Sequence, residues 1–232
     1  MSLLTVCQNV VDEVGLGARP AVIATSDDQL PRQLMALANR TIRSLIRDFN
    51  WQELIEVQQI NTNGSGIYNL PSGWQRYVSR TFYDATNYRP VNGAITLPTW
   101  QQLVRGNVTL TTFGNFRIQG GEIYLTPDPG DTDIFNFFQT KNAVLTGIGG
   151  QAEVYTADDD VCKIPEELIT LGTKWRIKQA KGLEYAEDIN EFVSQANLAC
   201  AQNQPAPSID FTGRWPPGPD YYATLPPTVP IP

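Results

Sequence analysis

The chain has 232 residues, of which 41% are hydrophobic and 10% aromatic, and its formal net charge is −7. This length allows one large domain or two small ones. The acidic balance argues against stable DNA binding, because a protein that holds DNA by its phosphates is normally basic. The chain has no histidine, which removes the commonest general base, the commonest metal ligand and every Ser-His or Cys-His pair.

The cysteines and the apolar runs indicate where the chain resides. Cys7, Cys162 and Cys200 are odd in number and widely spaced, as expected of free thiols in a reducing compartment. No apolar run approaches the roughly 18 residues that a transmembrane helix needs. The first residues lack the basic segment and cleavage pattern of a signal peptide. We therefore expect neither a membrane span nor a signal peptide.

Residues 1–50 have the pattern of two helices. The first has an apolar face and ends at Gly15, since Gly17 and Arg19-Pro20 prevent its continuation; the face comprises Leu3, Cys7, Val10 and Val14. Ser26 or Asp27 is suited to cap the second helix, and Pro31 fits its first turns. The predicted core face of that helix comprises Leu34, Ala38, Thr41, Leu45 and Phe49.

A second, basic stripe follows the same helix. Arg40, Arg43 and Arg47 recur at intervals of three and four residues, so they share one face. Two interpretations stay open at this point. The stripe is either a solvated face or a contact with acidic protein or phosphate.

Residues 51–163 have the period and turn signals of β structure. Glu53 to Thr62 alternates as a strand does, and the turn at 63–66 predicts Ile67 to Leu70 as its hairpin partner. Further strands are predicted at Thr81 to Asp84 and throughout 108–141, with a short helix at Leu97 to Val104. Gly147, Gly149 and Gly150 indicate a mobile loop or a hairpin tip.

This β segment is also acidic. Between Gly106 and Lys163 there are eight acidic and three basic residues. Asp128, Asp131 and Asp133 belong to a Pro-Gly turn, where side chains are usually solvated. Asp158, Asp159 and Asp160 would suit a hard cation such as calcium, but adjacent acids before a helix are more often solvated or capping.

Residues 164–203 predict one long helix that opens at Pro165. Its expected packing stripe comprises Leu168, Leu171, Trp175, Gly182, Ala186, Ile189, Val193, Ala196 and Cys200. Charge is segregated along it: basic residues fill the first half and acidic residues the second. Such a helix is suited to lie head-to-tail against a copy of itself in a ring. The candidates for that contact are Lys174, Lys178, Lys181, Glu184, Asp188 and Glu191.

Residues 204–232 contain nine of the seventeen prolines, so no helix or central strand is expected there. Unlike a solvated linker, this arm is rich in apolar and aromatic residues: Phe211, Trp215, Tyr221, Tyr222 and Leu225. An extended, proline-stiffened segment loses little entropy on entering a groove. The arm either binds a partner or a neighbouring copy through these residues, or folds back on its own domain.

The pattern as a whole predicts an α+β fold. We expect a helical bundle of two N-terminal helices and one long C-terminal helix, an inserted antiparallel β lobe and an extended Pro-rich C-terminal arm. No motif indicates catalysis. Gly147-Ile148-Gly149-Gly150 lacks the Lys-Ser/Thr of a phosphate-binding loop, and 24 acidic residues make a pair of carboxylates uninformative. We expect no enzyme activity, no cofactor and no metal.

Several blocks of the sequence resemble head-to-tail adaptor (connector) proteins of short-tailed bacteriophages. They are LLTVCQNVVDEVGL, SDDQLPRQLMALANRTIRSLIRDFNWQEL, GIYNLPSGWQRYVSRTFYDATNYRPVNGAITLPTWQQLV, FRIQGGEIYLTPDP and DDDVCKIPEELITLGTKWRIKQAKGLEYAE. They occur in the family's order and extend from about Leu3 to Phe192. Because several spaced blocks match, the resemblance is more specific than any single motif.

The resemblance implies a structural virion protein at the head-tail junction, assembled in the host cytoplasm. Such adaptors form a homo-oligomeric ring, usually of twelve copies, between the portal protein and the tail nozzle protein. DNA passes through without stable binding, and an acidic wall with Asp128, Asp131 and Asp133 would suit such a channel. The implied partners of the C-terminal arm are the portal and neighbouring adaptors.

Two other classes of function compete with this interpretation. The first is a monomeric carbohydrate- or receptor-binding module that uses the β-lobe aromatics, although such residues more often fill a core; they are Trp74, Tyr88, Trp100 and Tyr124. The second is a carboxylate-dependent cell-wall hydrolase. Solution mass with and without portal tests the first class, and activity on peptidoglycan tests the second.

Overall fold

A computed structural model describes residues 2–105, 114–126 and 130–203. Within them the fold is mixed α+β, as the sequence predicted. The helices are α1 Leu3–Val14, α2 Gln29–Asp48, α3 Leu97–Arg105, α4 Glu166–Lys181 and α5 Ala186–Asn203, and a 3₁₀ turn spans Gln52–Leu54.

The strands form three sheets, and every pair of named strands is antiparallel. In the largest sheet, β8 pairs with β1, β3 and β4, and β4 pairs with β5. The orders of the two smaller sheets are β2-β7-β6 and β10-β9-β11. The bounds are β1 Ile55–Asn61, β2 Ile67–Asn69, β3 Trp74–Tyr77, β4 Tyr83–Asp84, β5 Arg89–Pro90, β6 Asn115–Gln119, β7 Glu122–Thr126, β8 Asp133–Thr140, β9 Val144–Leu145, β10 Gln151–Ala152 and β11 Val161–Cys162.

Helix α4 lies at the centre of the first core, which we name the helical core. It contacts α1, α2 and α5, and every residue from Leu168 to Thr173 is buried. A helix that is buried around most of its circumference belongs inside a core. Glu166 and Glu167 in its first turn favour the positive end of the helix dipole.

The sheet β10-β9-β11 contributes to the same core. Ala143, Val144 and Tyr155 are buried in one cluster with the apolar faces of the helices. The last part of the predicted β lobe, residues 51–163, therefore packs with the helices. A second, separate cluster, which we name the lobe core, comprises Ile60, Phe82, Val91, Phe116, Ile123, Leu125 and Ile134.

The prediction of one continuous helix over 164–203 is wrong. Helix α4 ends at Lys181, and Gly182 adopts a left-handed conformation with φ 70°. The Gly182 and Leu183 amides donate to the carbonyls of Gln179 and Lys178, at 3.1 and 2.9 Å. This is a Schellman cap, a common way to end a helix at glycine. The chain then turns, and α5 begins at Ala186.

This break also invalidates the predicted packing stripe. Leu168, Leu171 and Ala196 are buried, whereas Gly182 and Ala186 are exposed and Val193 is half-exposed. Trp175 is only partly buried, because Arg176 and Ile177 occupy the inward positions beside it. A stripe drawn through one straight helix cannot follow two helices joined at an angle.

The predicted hairpin from Glu53 to Leu70 is also wrong in its pairing. Strand β1 forms as expected, but its partner is β8, with Ile55 opposite Gln139. Strand β2 pairs with β7 in another sheet.

The helix predicted at Leu97 to Val104 is confirmed as α3. The glycines around 147–150 form a hairpin tip between β9 and β10, and the predicted strand at 108–113 lies outside the described residues.

None of the helices in the described part of the chain is both long enough and apolar enough to span a membrane.

Candidate functional site

A basic cleft of about 360 Å³ lies where α2, β3 and α4 meet. Helix α2 contributes its outward face, because Thr41, Ile42, Leu45 and Ile46 turn inward and are buried. The cleft is lined by Arg40, Arg43, Ser44, Ile46, Arg47, Gln75, Lys141, Glu153 and Arg176. The arginine stripe predicted from the sequence therefore forms one wall of a cleft.

Arg176 is the buried cation of this site. Its side chain projects from α4, and the residue is only 8% exposed. Its Nη1 donates to Thr41 Oγ1 and the Gly172 carbonyl, both at 2.9 Å, and its Nη2 donates to Ser44 Oγ at 3.0 Å. All three acceptors are uncharged, so no carboxylate neutralises this guanidinium directly.

Arg176 also packs against an aromatic ring and has one nitrogen without a hydrogen-bond partner. The guanidinium carbon lies 4.3 Å from the centre of the Trp175 ring, a cation–π distance. Its Nε has no hydrogen-bond partner among the described residues. Burial, and then the neighbouring Arg40, lower the pKa of Arg176 to about 10, so the group remains charged at neutral pH. A carboxylate that reached this buried guanidinium would stabilise its charge.

The rim of the cleft has more cations than anions. Glu153 accepts from Arg43 Nε at 3.0 Å and lies 3.5 Å from Lys141 Nζ. Arg47 Nε is 2.8 Å from its neighbour Asp48. Arg40 forms no ion pair with any described residue. Five cations thus line the cleft with a single lining carboxylate, Glu153.

Arg76 on β3 fixes the end of α2 beside this cleft. Its guanidinium donates to the carbonyls of Ile46 and Arg47, at 3.1 and 2.6 Å, and to that of Phe49. It also donates to Gln139 Oε1 at 3.0 Å. Burial lowers its pKa. Because Arg76 satisfies the last carbonyls of α2, it joins the helical core to β3 and β8 and positions the arginine stripe.

Three of the predicted subunit-interface residues pair within the chain. Lys178 Nζ donates to Asp188 Oδ2 at 2.6 Å, and Lys174 Nζ lies 3.4 Å from Asp188 Oδ1. Lys174 also contacts Glu13 of α1 at 2.8 Å. Asp188 is 8% exposed. This cluster ties α5 to α4 and α1.

The pKa values reflect this pairing. Burial raises the pKa of Asp188, but hydrogen bonds and attraction from Lys178 and Lys174 outweigh that effect and bring it below its ordinary value. The hydrogen bond with Glu13 raises the pKa of Lys174. The other three candidates, Lys181, Glu184 and Glu191, are exposed.

The acidic turn lies beside the loop after β1, because the Asp131 amide donates to the Thr62 carbonyl at 2.9 Å. Asp131 is exposed and has φ 50°. Asp133 is partly buried at the start of β8, where its amide donates to Thr86 Oγ1 at 3.1 Å. Asp128 and the C-terminal arm, with Phe211, Trp215, Tyr221, Tyr222 and Leu225, lie outside the described residues.

Two of the acids at 158–160, Asp158 and Asp160, bind backbone amides. Asp158 accepts from the amides of Ile23 and Ala24, the latter at 2.8 Å. Asp160 accepts from the amides of Thr156 and Ala157, at 2.6 and 2.8 Å. Burial raises the pKa of Asp160, but these hydrogen bonds outweigh it and lower the pKa. Across residues 2–105, 114–126 and 130–203, no group of three or more Cys, Asp or Glu side chains is placed to hold a metal ion.

The aromatic residues considered for ligand binding are dispersed. Trp74 packs against Tyr77, with ring centroids 5.8 Å apart, and Trp100 packs edge-on against Tyr124 at 6.2 Å. Tyr88 is 82% exposed on the turn between β4 and β5. These contacts do not collect the four aromatics into one surface.

The sequence interpretation missed the roles of Arg76, Lys141 and Arg176. Lys141 lines the cleft, and Arg76 binds the end of α2 beside it, only because β8 and β3 pair next to that helix. For Arg176 a signal did exist: a charged residue lies between Trp175 and Ile177, one turn after Gly172. The sequence matches no protein-family model and no curated protein.

Proposed function

We propose that this chain is a head-to-tail adaptor of a bacteriophage: a structural virion protein that forms a ring between portal and tail and continues the DNA channel. Its neighbouring copies, the portal protein and the tail nozzle protein are the proposed partners. The ordered blocks of resemblance from Leu3 to Phe192 carry the proposal.

In this proposal the helical core is the ring body and the lobe projects from it. Two features of the chain support such a division. The two clusters of buried residues are separate, and Arg76 and Gln139 hold them in a fixed relation by donating to the end of α2. A ring subunit needs a rigid body of this kind to repeat one contact around an axis.

Asn203, after which the arm follows in sequence, lies beside the junction of the two regions. Asn203, the last residue of α5, accepts from the Gln52 amide at 2.6 Å and donates to Glu53 at 2.8 Å. Gln52 and Glu53 lie between α2 and β1. An arm that starts at this junction would reach a neighbouring copy or the portal from a fixed position. We propose that its aromatic residues are the anchors.

Mixing with the portal protein of the same phage tests the function. We expect rings of adaptor on portals by negative-stain imaging. We also expect the solution mass to rise when portal is added, or with protein concentration if the adaptor associates with itself. If the protein remains monomeric at all concentrations and does not bind portals, the binding-module alternative is favoured. Release of peptidoglycan fragments would favour the hydrolase.

Truncation after Asn203 tests the arm. The truncated chain keeps the contacts of Asn203, so its thermal midpoint should stay close to that of the full chain. It should lose attachment to portals, since aromatic anchors are commonly worth about 2 kcal/mol or more each. A matched control replaces Ser208, Thr212 and Thr228 with alanine and keeps the aromatics. Unchanged portal affinity of the truncated chain would contradict the arm's role.

A further inference from the structure

The basic cleft has the chemistry of a carboxylate receptor. A guanidinium presents parallel N–H donors that match the two oxygens of a carboxylate. Arg176 is buried without an acidic partner, and Arg40 beside it forms no ion pair with a described residue. An incoming carboxylate would relieve like-charge repulsion and stabilise the buried cation.

An acidic protein surface fits the site better than nucleic acid does. The cleft is small, about 360 Å³, and it lies on a chain with a net charge of −7. An extended phosphate backbone would meet repulsion from a chain of net negative charge beyond the cleft, whereas a single acidic patch needs only the cleft itself.

The chain also presents an acidic patch of the required kind. Glu187 and Glu191 lie one turn apart on α5 and are both exposed, and Glu184 is exposed just before the helix. Glutamates at this spacing share one face and repel each other. No ion pair with a described residue involves them. Leu183 and Val193 flank the patch and are 45% and 50% exposed, as expected of a surface with an apolar margin.

The two patches lie on one chain but do not pair with each other. In the basic half of the predicted long helix, Lys174 and Lys178 contact Asp188 of the same chain, and Lys181 is left exposed. We take the cleft, which gathers five cations, as the counterpart of the acidic patch. Two different surfaces that fit each other make a head-to-tail contact, which closes into a ring when the rotation between copies permits.

We propose that the Arg176 cleft of one copy receives Glu187 and Glu191 of a second copy. This assignment rests on the proposed function, since it identifies the contact between neighbouring subunits of the ring. It makes Arg40 and Arg43 specificity residues at the rim and Arg176 the buried anchor.

Two reversed variants test the contact. In Arg40→Glu/Arg43→Glu the lining changes from five cations and one carboxylate to three of each, so the cleft loses its positive charge while the α5 patch stays acidic. In Glu187→Arg/Glu191→Arg the α5 patch becomes basic while the cleft stays basic. Each variant alone should assemble at least about tenfold less well than the wild type, because the first has lost the attraction at the rim and the second sets a basic patch against a basic cleft. An equimolar mixture should recover assembly, because in alternating copies the basic cleft meets the acidic patch and the new rim glutamates meet the new arginines of α5.

The matched control is Arg32→Glu/Arg105→Glu, which changes net charge equally at two exposed positions that do not line the cleft. It should assemble as the wild type does. Circular dichroism and thermal unfolding of every variant ensure that failure to assemble is not failure to fold. Assembly is measured as solution mass over a concentration series without portal, and as ring formation on portals by imaging.

The outcomes separate this inference from the proposed function. Recovery in the mixture supports the contact, even if no variant and no wild-type protein attaches to portals. If the wild type and both reversed variants form rings on portals equally well, the proposed contact is wrong and the adaptor function still stands. Assembly that is lost in both variants and not recovered by mixing would also overturn the contact. So would tight, salt-sensitive binding of a DNA oligonucleotide that Arg40→Glu/Arg43→Glu abolishes.

Discussion

The helical core and the lobe core differ in how the chain builds them. The helical core draws its residues from both ends of the sequence, from Leu3 to Leu54 and from Ala143 to Ala196. The lobe core comes from the intervening segment alone, from Ile60 to Ile134. Their side chains differ too: the helical core is mainly aliphatic, whereas Phe82 and Phe116 stack at 3.8 Å in the lobe.

This difference implies an asymmetry between the regions. Opening the lobe leaves both halves of the helical core in place, since they contact each other directly. Opening the helical core releases the end of α2, to which Arg76 and Gln139 hold strands β3 and β8. Local opening is therefore expected to spread from the helices to the lobe and not in the reverse direction.

The largest effect is expected for Trp51→Ala. Trp51 is fully buried in the helical core, and its Nε1 donates to the Leu45 carbonyl at 3.1 Å. Its removal leaves a large cavity and takes away one of the two hydrogen bonds to the Leu45 carbonyl, which keeps the one from the Phe49 amide; the expected cost is about 4 kcal/mol in the free energy of unfolding. Native-state hydrogen exchange should show faster exchange in α2 and α4 and also in β1 and β8. If exchange became faster in the helices alone, the expected spread of opening from the helices to the lobe would be wrong.

Phe116→Ala should cost somewhat less, about 3 kcal/mol, and only within the lobe. Phe116 is 5% exposed and loses its stacking on Phe82 and its edge contact with Tyr77. We expect faster exchange in β6, β7 and β4 while α1 and α4 keep wild-type protection. Exposed Tyr88→Ala serves as a control for loss of an aromatic residue. Equal acceleration in the helices would mean that the two cores open together.

Asp188→Asn should have a moderate effect that depends on pH. The folded-state pKa of Asp188 is lowered, so its contribution is fully present above the unfolded value of about 4 and is lost as pH falls through the lower folded value. At pH 7 we expect a loss of about 2 kcal/mol. Denaturant unfolding at pH 3 should show a smaller difference from wild type. Glu187→Gln, at an exposed neighbour, should show little effect at either pH.

The smallest effect on folding is expected when Asp128, Asp131 and Asp133 are all replaced by asparagine. Asp131 is exposed and Asp133 is only partly buried, so the free energy of unfolding should change by less than about 0.5 kcal/mol. If the turn faces a DNA channel, genome ejection from assembled particles should slow, and more so at low salt, because screening acts over about 8–10 Å at physiological ionic strength. Normal ejection at both salt concentrations would place the turn on the outside of the ring.

Local periodicity predicted the helices well. The inward face of α2, from Leu34 to Leu45, is buried as its spacing requires, and α1 ends where Gly15 allows. The break at Gly182 was missed, because an isolated glycine in a helical pattern is tolerated as often as it ends the helix. The pairing of Ile55 with Gln139 was also missed. Two strands so far apart leave no local signal of their register.

The residues of the candidate site likewise fall into those that local spacing predicts and those that it does not. The stripe of Arg40, Arg43 and Arg47 follows from spacing along one helix. The contributions of Lys141 and Arg176 depend on tertiary packing, which brings segments from 41–47, 141 and 176 to one place. Charge segregation along residues 174–191 was visible, but the turn at Gly182 allows Lys174 and Lys178 to pair with Asp188 within the chain.

The buried thiols give the helical core its own chemical probes. Burial, with a smaller effect from Asp158, raises the pKa of Cys7 to about 12, and burial raises that of Cys162 to about 11. At neutral pH almost none of either thiol is thiolate, the reactive form. A small alkylating reagent would therefore modify Cys7 only after α1 separates from the rest of the protein. The rate of that modification, followed by mass spectrometry, would measure how often the first helix opens, without any engineered label.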